Sequence, residues 1–393
     1  MTILFFGVRL ILLFLLISLG ISGPSTWAVS PADEKIRMFL ISGIEKGLNL
    51  QEKEAYMQFK KAIELNRLKP LSYSFLAMAY LFFYETSFTE KEKKENEGAF
   101  LPTVREAEKM AEKEIEESSP QAETYLALAI TKMVKNRYEI LQKNYFRAFR
   151  EAQSVYRTLE KVQELDPQNY EVYYPLGVLH YHLAHLPGLA RFLSALFITA
   201  ADPEKGIQEL EKAAEKSFFM RDLARANLVS IYGGYEKKYA QALPLAQALK
   251  EKYPQNYNFT FALANIFSEL GQFAAAFGQA KEIEENLRAL RFPYRPELWP
   301  RYYQLLGKIY FDQGRYEPAR EYFNLALKDQ AFYNARVRAW AFVRLGMIHD
   351  VQKQRKLAEE YYQKALEVEG AEGLAQRTAQ EYLKTPYVLS PQK

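Results

Sequence analysis

Residues 301–328 run RYYQLLGKIYFDQGRYEPAREYFNLALK, and this stretch decides the fold. Tyr303, Leu306, Gly307 and Tyr310 recur at the three-to-four spacing of one helix face, and Ala319, Phe323 and Ala326 do the same on a second helix. Asp312-Gln313-Gly314-Arg315 interrupts the period between them. The pattern predicts a helical hairpin. Small residues at Gly307 and Ala319 let the two helices approach, and large side chains fill the space around the contact. It returns downstream as Leu345-Gly346, Ala358, Tyr362 and Ala365, and upstream as Leu263-Ala264, Phe267, Gly271 and Ala276.

Followed along the chain, the small residue of the first helix falls at Gly43, Ala77, Ala129, Gly177, Ser230, Ala264, Gly307 and Gly346. Gly43 to Ala77 and Ser230 to Ala264 each span the 34-residue helix–turn–helix period, and the other intervals exceed it through insertions. In the fifth unit the pattern fits only with a one-residue slip, because Tyr232 precedes Gly233-Gly234. Over about residues 36–372 the chain resembles the tetratricopeptide-repeat family. The resemblance implies an all-α fold, a right-handed α-solenoid of about eight hairpins with insertions. A single hairpin cannot bury its apolar face, so neighbours must stack. The expected organisation is a targeting segment over 1–28, the solenoid over 29–372, and a capping helix with a loose tail over 373–393.

Three insertions stand out. Ser87–Phe100 (SFTEKEKKENEGAF) reads as a solvated, charge-rich loop inside the second unit. Asn286–Pro300, rich in Pro and Arg, is expected to redirect the superhelix between units six and seven and to offer a secondary contact. His185–Ala201 (HLPGLARFLSALFITAA) carries one charge, Arg191, and spaces Leu189, Phe192, Leu193, Leu196 and Phe197 as one helix face. It is either a helix buried against the solenoid or an apolar element offered to a membrane, lipid or partner. With Asp202, Gly206, Leu210 and Ala213 behind it, this block is similar to the tetratricopeptide-39 and inclusion-body-clearance family. Thr199-Ala200-Ala201 replaces the glycines that family places before the Asp. That similarity implies shared architecture and apposition to membranes or lipid bodies, without chemistry.

Composition excludes several function classes. The 393 residues contain no Cys, which removes disulfides, thiolate catalysis and Cys-ligated metal centres. Lys and Arg number 52 against 48 Asp and Glu, and a net +4 without a basic stripe gives no footprint for nucleic acid. His180, His182 and His185 cluster, but 180 and 182 point to different sides of a helix and no acidic residue joins them. His180 is read as packing. Phosphate-binding glycine loops and nucleophile elbows are absent from the sequence. No catalytic residue, metal, cofactor or small-molecule substrate is therefore expected. Asn258-Phe259-Thr260 matches a glycosylation acceptor, on a predicted helix.

The family resemblance implies a binding groove lined by the first helix of each hairpin. Carried over residue by residue, it marks Tyr174 and Tyr181 in the fourth unit, Phe261 and Asn265 in the sixth, Arg301, Lys308 and Phe311 in the seventh, and Trp340 and Met347 in the eighth. Glu171, Asn258, Ser268, Glu269, Asp312 and Asp350 occupy further positions of the same rows. Aromatics mixed with amides and both charges suit a protein or peptide partner. The family's clamp for a peptide C-terminal carboxylate needs a basic residue one turn before Asn265, where Phe261 stands. The expected function is a non-enzymatic scaffold holding a protein partner in the groove, with membrane apposition through 185–201 as the alternative.

At the N-terminus Arg9 precedes the apolar run Leu10–Leu19, followed by Gly20, Gly23 and Pro24, with Thr26 and Ala28 at the −3 and −1 positions of a cleavage site. This is the form of a secretory signal peptide. Left uncleaved, it would serve as a membrane anchor. Both outcomes place the chain outside the cytoplasm, in the periplasm or beyond. N-terminal sequencing of the chain recovered from an exporting host should begin at Val29; a first residue upstream of Gly20 would exclude cleavage here.

Overall fold

The computed structural model describes residues 30–117, 121–184, 202–328, 334–371 and 373–389. The targeting segment 1–28 and the apolar insertion 185–201 lie outside the described residues. Within them the chain is all-α, with seventeen α-helices and no strand. The first four hairpins are α1 Pro31–Leu48 with α2 Glu52–Leu65, α3 Pro70–Thr86 with α4 Glu90–Glu117, α5 Ala122–Leu141 with α6 Tyr145–Leu165, and α7 Tyr173–Ala184 with α8 Pro203–Lys216. The next four are α9 Arg221–Ser230 with α10 Tyr239–Lys252, α11 Tyr257–Glu269 with α12 Phe273–Arg288, α13 Trp299–Asp312 with α14 Tyr316–Lys328, and α15 Ala335–Val351 with α16 Arg355–Leu366. Helix α17, Leu374–Lys384, comes after the eighth hairpin.

The hairpins of units one, four, seven and eight close on a glycine, as the sequence pattern requires. A Cβ placed at Gly307 would stand 2.7 Å from the Phe323 ring, and one at Gly346 would stand 2.5 Å from the Tyr362 ring. Phe323 and Tyr362 are completely buried as a result. First helices of successive units pack on one another, α1 on α3, α3 on α5, α11 on α13 and α13 on α15, and form an inner row. The described half of the fourth-unit block obeys the same logic. Asp202 caps α8 through Lys205 N–H at 3.0 Å, Gly206 lies against the backbone of Tyr181, and Leu210 and Ala213 are buried.

Six of the turns inside the hairpins carry a left-handed residue. In the seventh unit Arg315 N–H donates to Tyr310 O and Gly314 N–H to Phe311 O, both at 2.9 Å, which satisfies the orphan carbonyls at the end of α13. The left-handed residue at this point is Gly314 (φ 74°) or Gly271 (φ 70°) in two units, but Leu50, Lys143, Lys237 and Lys353 (φ 54–60°) in four others. Unit five departs from the repeat: Ser230 is exposed, and Ile231–Tyr235 forms a π-turn directly after it. A π-turn takes one extra residue, so it absorbs the one-residue slip, and Ser230 is not the small contact residue of that unit.

Two loop expectations are corrected. Residues 90–100 are not a loop but the start of the long helix α4. Thr89 Oγ1 accepts from Glu92 N–H at 3.2 Å while Glu92 Oε2 accepts from Thr89 N–H at 3.1 Å, a capping box that nucleates the helix. The expected loose tail is also docked, since Tyr387 lies against Phe311 and Tyr382.

The solenoid closes on itself. Gln255 N–H donates to Asn49 Oδ1 at 3.0 Å, Asn256 Nδ2 to Leu48 O at 2.6 Å, and Lys252 pairs with Glu45 at 3.1 Å. Arg295, from the insertion after α12, pairs with Glu92 and stacks 4.9 Å from the Phe88 ring centroid. The 286–300 insertion therefore joins the seventh unit to the second. Phe75 and Phe219 meet at 5.2 Å, adding a link between units two and five.

Replacing Phe323 by Ala should empty the space facing Gly307 and cost ~3–5 kcal/mol. Chemical denaturation followed by circular dichroism would read this, and a midpoint that hardly moves would count against the hairpin contact.

Candidate partner-binding groove

The inner row of α11, α13 and α15 carries most of the groove positions. In the upper part Arg301 is half-buried, its guanidinium 4.1 Å from the Phe261 ring centroid and its Nη1 donating to Asn258 Oδ1 at 2.7 Å. Burial depresses the Arg301 pKa from its ordinary value, and the aromatic face and amide oxygen offset part of the lost hydration. Asn265 turns its amide into its own helix, donating to Phe261 O at 2.8 Å. Asn258 is engaged with Arg301 and Thr260 is fully buried, so the glycosylation motif sits on a packed helix.

One turn further on, the three helices join in a charge cluster. Lys308 Nζ lies 2.9 Å from Glu269 and also pairs with Asp312, and Ser268 Oγ donates to Asp312 Oδ2 at 2.6 Å. Arg344 approaches both carboxylates at 4.0 Å. The same guanidinium lies 5.1 Å from the Phe311 ring centroid and 5.7 Å from that of Trp340, and Nη1 reaches Met347 Sδ at 3.9 Å. Burial alone would raise the Asp312 carboxyl, but Lys308 and Arg344 overcome it and hold the pKa below its ordinary value. Lys308, Phe311, Trp340 and Met347, four of the nine residues marked from sequence, thus converge around one arginine.

Convergence is not exposure. Phe261, Phe311 and Met347 are buried, as are Tyr174 and Tyr181 in the fourth unit; Arg301, Asn265 and Trp340 remain part-exposed. In the fourth unit Tyr181 Oη donates to Glu236 at 2.7 Å, and Tyr174 Oη accepts from Asn227 at 3.2 Å. Burial pushes the Tyr174 hydroxyl up to about 12. Glu171 accepts the backbone N–H groups of Phe218, Phe219 and Met220, so it binds the start of α9. His180 is buried, its Nδ1 2.5 Å from Glu209 across the hairpin, while His182 lies edge-on to Tyr181. Among the described residues no group of three or more His, Asp or Glu is placed to hold a metal ion. None of the described helices is long and apolar enough to cross a membrane.

Two residues of the site escaped the sequence reading. Arg344 stands one turn after Trp340 in the otherwise apolar run AWAFVRLGMI, and a lone charge on such a helix was the available signal. Tyr387 had no periodic neighbour to place it.

With this geometry the described chain is a solenoid of stacked helical hairpins. Residues 301–369 match the tetratricopeptide-repeat family model, the stretch from α13 to just beyond α16. Similar solved structures include Pseudomonas aeruginosa pilF, at 18% identity over 64% of this chain and 96% of that one, with a TM-score of 0.33. A tetratricopeptide repeat protein from Parabacteroides merdae shows 16% identity over 83% of this chain and 99% of that one, with a TM-score of 0.33. The human IFIT1 dimer shows 16% identity over 91% and 86%, with a TM-score of 0.42. No curated protein matches the sequence.

The Asp312 carboxylate gives the cluster a pH signature. With its folded pKa depressed, its contribution is complete above the unfolded-chain value of ~3.9 and is lost as the pH falls through the lower folded value. Asp312→Asn should remove that part of the acid limb and cost about 1.5–3 kcal/mol near neutrality. Stability curves of the two chains between pH 2 and 7 provide the check.

Proposed function

We propose that the chain is an exported, non-enzymatic scaffold of the cell envelope that holds a protein partner against the inner row of α11, α13 and α15. The observation that carries the reading is the gathering of Lys308, Phe311, Trp340 and Met347 from two hairpins around the Arg344 guanidinium, with Arg344 and Trp340 left part-exposed above the buried Lys308, Phe311 and Met347. A part-exposed guanidinium beside a part-exposed indole, with part-exposed Arg301 on the same row of helices, is the chemistry of a protein contact. Catalysis would need a nucleophile and base, or a metal set, and the described titratable clusters instead pair with one another within the fold. Export rests on the sequence of residues 1–28, and the periplasm or extracellular space is the corresponding location.

Because Phe311 is buried, the informative variant alters the part-exposed positions. A chain carrying Arg301→Ala and Trp340→Ala should keep its helicity and lose a partner crosslinked in cells and captured with the wild-type chain. Retention of the partner by this variant would move the site elsewhere. Recovery of lipid alone, equally with both chains, would favour membrane apposition through 185–201.

A further inference from the structure

Beyond α17 the chain turns back across the inner row. Tyr387 N–H donates to Asp350 Oδ2 at 2.8 Å, and its ring lies 5.9 Å from Phe311 and 5.3 Å from Tyr382. Asp350 is a fixed receptor: its carboxylate is 1% exposed and also accepts from Tyr362 Oη at 2.8 Å and Arg355 Nη1 at 3.1 Å. Arg355 donates in addition to Tyr382 O and Leu383 O at 2.8 Å, fixing the point from which the segment departs.

Among its described residues, the segment after α17 is attached to the inner row at one, Tyr387. Val388 and Leu389 are 75% and 49% exposed, and Thr385 and Pro386 are exposed as well. A segment whose purpose was to cover the last hairpin would bury those apolar side chains. Here one ring enters an aromatic slot, one backbone N–H meets a preformed acceptor, and the neighbours stand in solvent. That is how an extended peptide occupies a groove through one anchor.

We propose that the slot between Phe311, Asp350 and Tyr382 is a binding site for an extended peptide segment bearing an aromatic side chain, occupied in the resting chain by its own Tyr387. The partner segment inserts an aromatic ring in place of Tyr387 and gives its backbone N–H to Asp350. Residues flanking the ring are uncharged, as Thr385, Pro386, Val388 and Leu389 are in the internal occupant. This rests on the scaffold reading and names the chemistry of the partner at that groove. An occupant tethered to the same chain lowers the apparent affinity for any competitor, because only the fraction of chains with an empty slot can bind.

The probe is a fluorescent peptide of residues 383–389, LKTPYVL, titrated by anisotropy against the full wild-type chain and the full chain carrying Tyr387→Ala. The variant should bind at least about ten-fold more tightly than wild type, since its slot is vacated. A control peptide with the same Tyr387→Ala change should bind neither chain. Equal or absent binding of the probe to the two chains overturns the proposal. So does a variant that melts as a core mutant would and takes no peptide, since Tyr387 would then be a structural strap. A protein partner captured through Arg301 and Trp340 while neither chain takes the peptide overturns this inference and leaves the scaffold reading standing. Tight peptide binding to the variant with no protein partner in cells supports the slot and removes the scaffold reading.

Discussion

The close approach of two helices at a residue with little or no side chain is the contact on which everything else rests. Where Gly307 meets Phe323 and Gly346 meets Tyr362, the aromatic ring lies against bare backbone, and the second helix is set at a fixed distance and rotation. The ring buries more apolar surface than any aliphatic side chain could in the same gap. A hairpin built this way is thin, and both its broad faces remain apolar. It is stable only when the next hairpin covers it, so stacking arises from the local contact rather than from a separate instruction.

That dependence explains how much of the fold was legible. The small residue and the ring sit at a fixed offset, so a periodic reading finds them wherever the pattern inside the unit is intact, as at Gly43 with Phe59, Gly307 with Phe323 and Gly346 with Tyr362. It misplaces Ser230 because the π-turn at Ile231–Tyr235 adds a residue within the unit, a local change in helix pitch that sequence spacing cannot assign. Among the described hairpin turns, left-handed glycines mark two. Leu50, Lys143, Lys237 and Lys353 adopt the same left-handed conformation at roughly 1–2 kcal/mol each. Their side chains give no hint of it, since the stacked helices on either side impose the turn. Residues 90–100 read as loop because their charge outweighs the Thr89…Glu92 capping signal, although both capping residues stand in the sequence at the required spacing.

The helices that carry the candidate positions were legible, and the accessibility of the individual side chains was not. Family positions in units six to eight fall on α11, α13 and α15, but which side chains stay accessible depends on what packs over them. The covering groups come from the next hairpin or from the tail. Tyr181 is buried against Glu236 and Tyr235, from the turn of the next hairpin, and Phe311 lies under Arg344 and Tyr387, from the eighth hairpin and the tail. None of these partners shares a period with the residue it covers. Tyrosine hydroxyls donating to carboxylates recur along the stack, as in Tyr138 to Glu97, Tyr253 to Asp222, Tyr302 to Glu284 and Tyr362 to Asp350. These bonds tie helices together.

An array of stacked hairpins ordinarily behaves as a one-dimensional chain, in which the ends fray independently of the middle. The bonds from Asn49 to Gln255 and from Leu48 to Asn256 connect the first hairpin to the sixth and convert the line into a loop. Opening the first hairpin then strips contacts from a unit that lines the groove, so loss of structure at the N-terminal end is transmitted to the far side of the molecule. The start of α1 is itself pinned, with Lys69 bridging Asp33 at 2.9 Å and Glu123 at 2.7 Å. Ser30 is therefore held in a set orientation to α11 and α13, so the first described residue of the chain and the candidate groove face in fixed directions relative to one another.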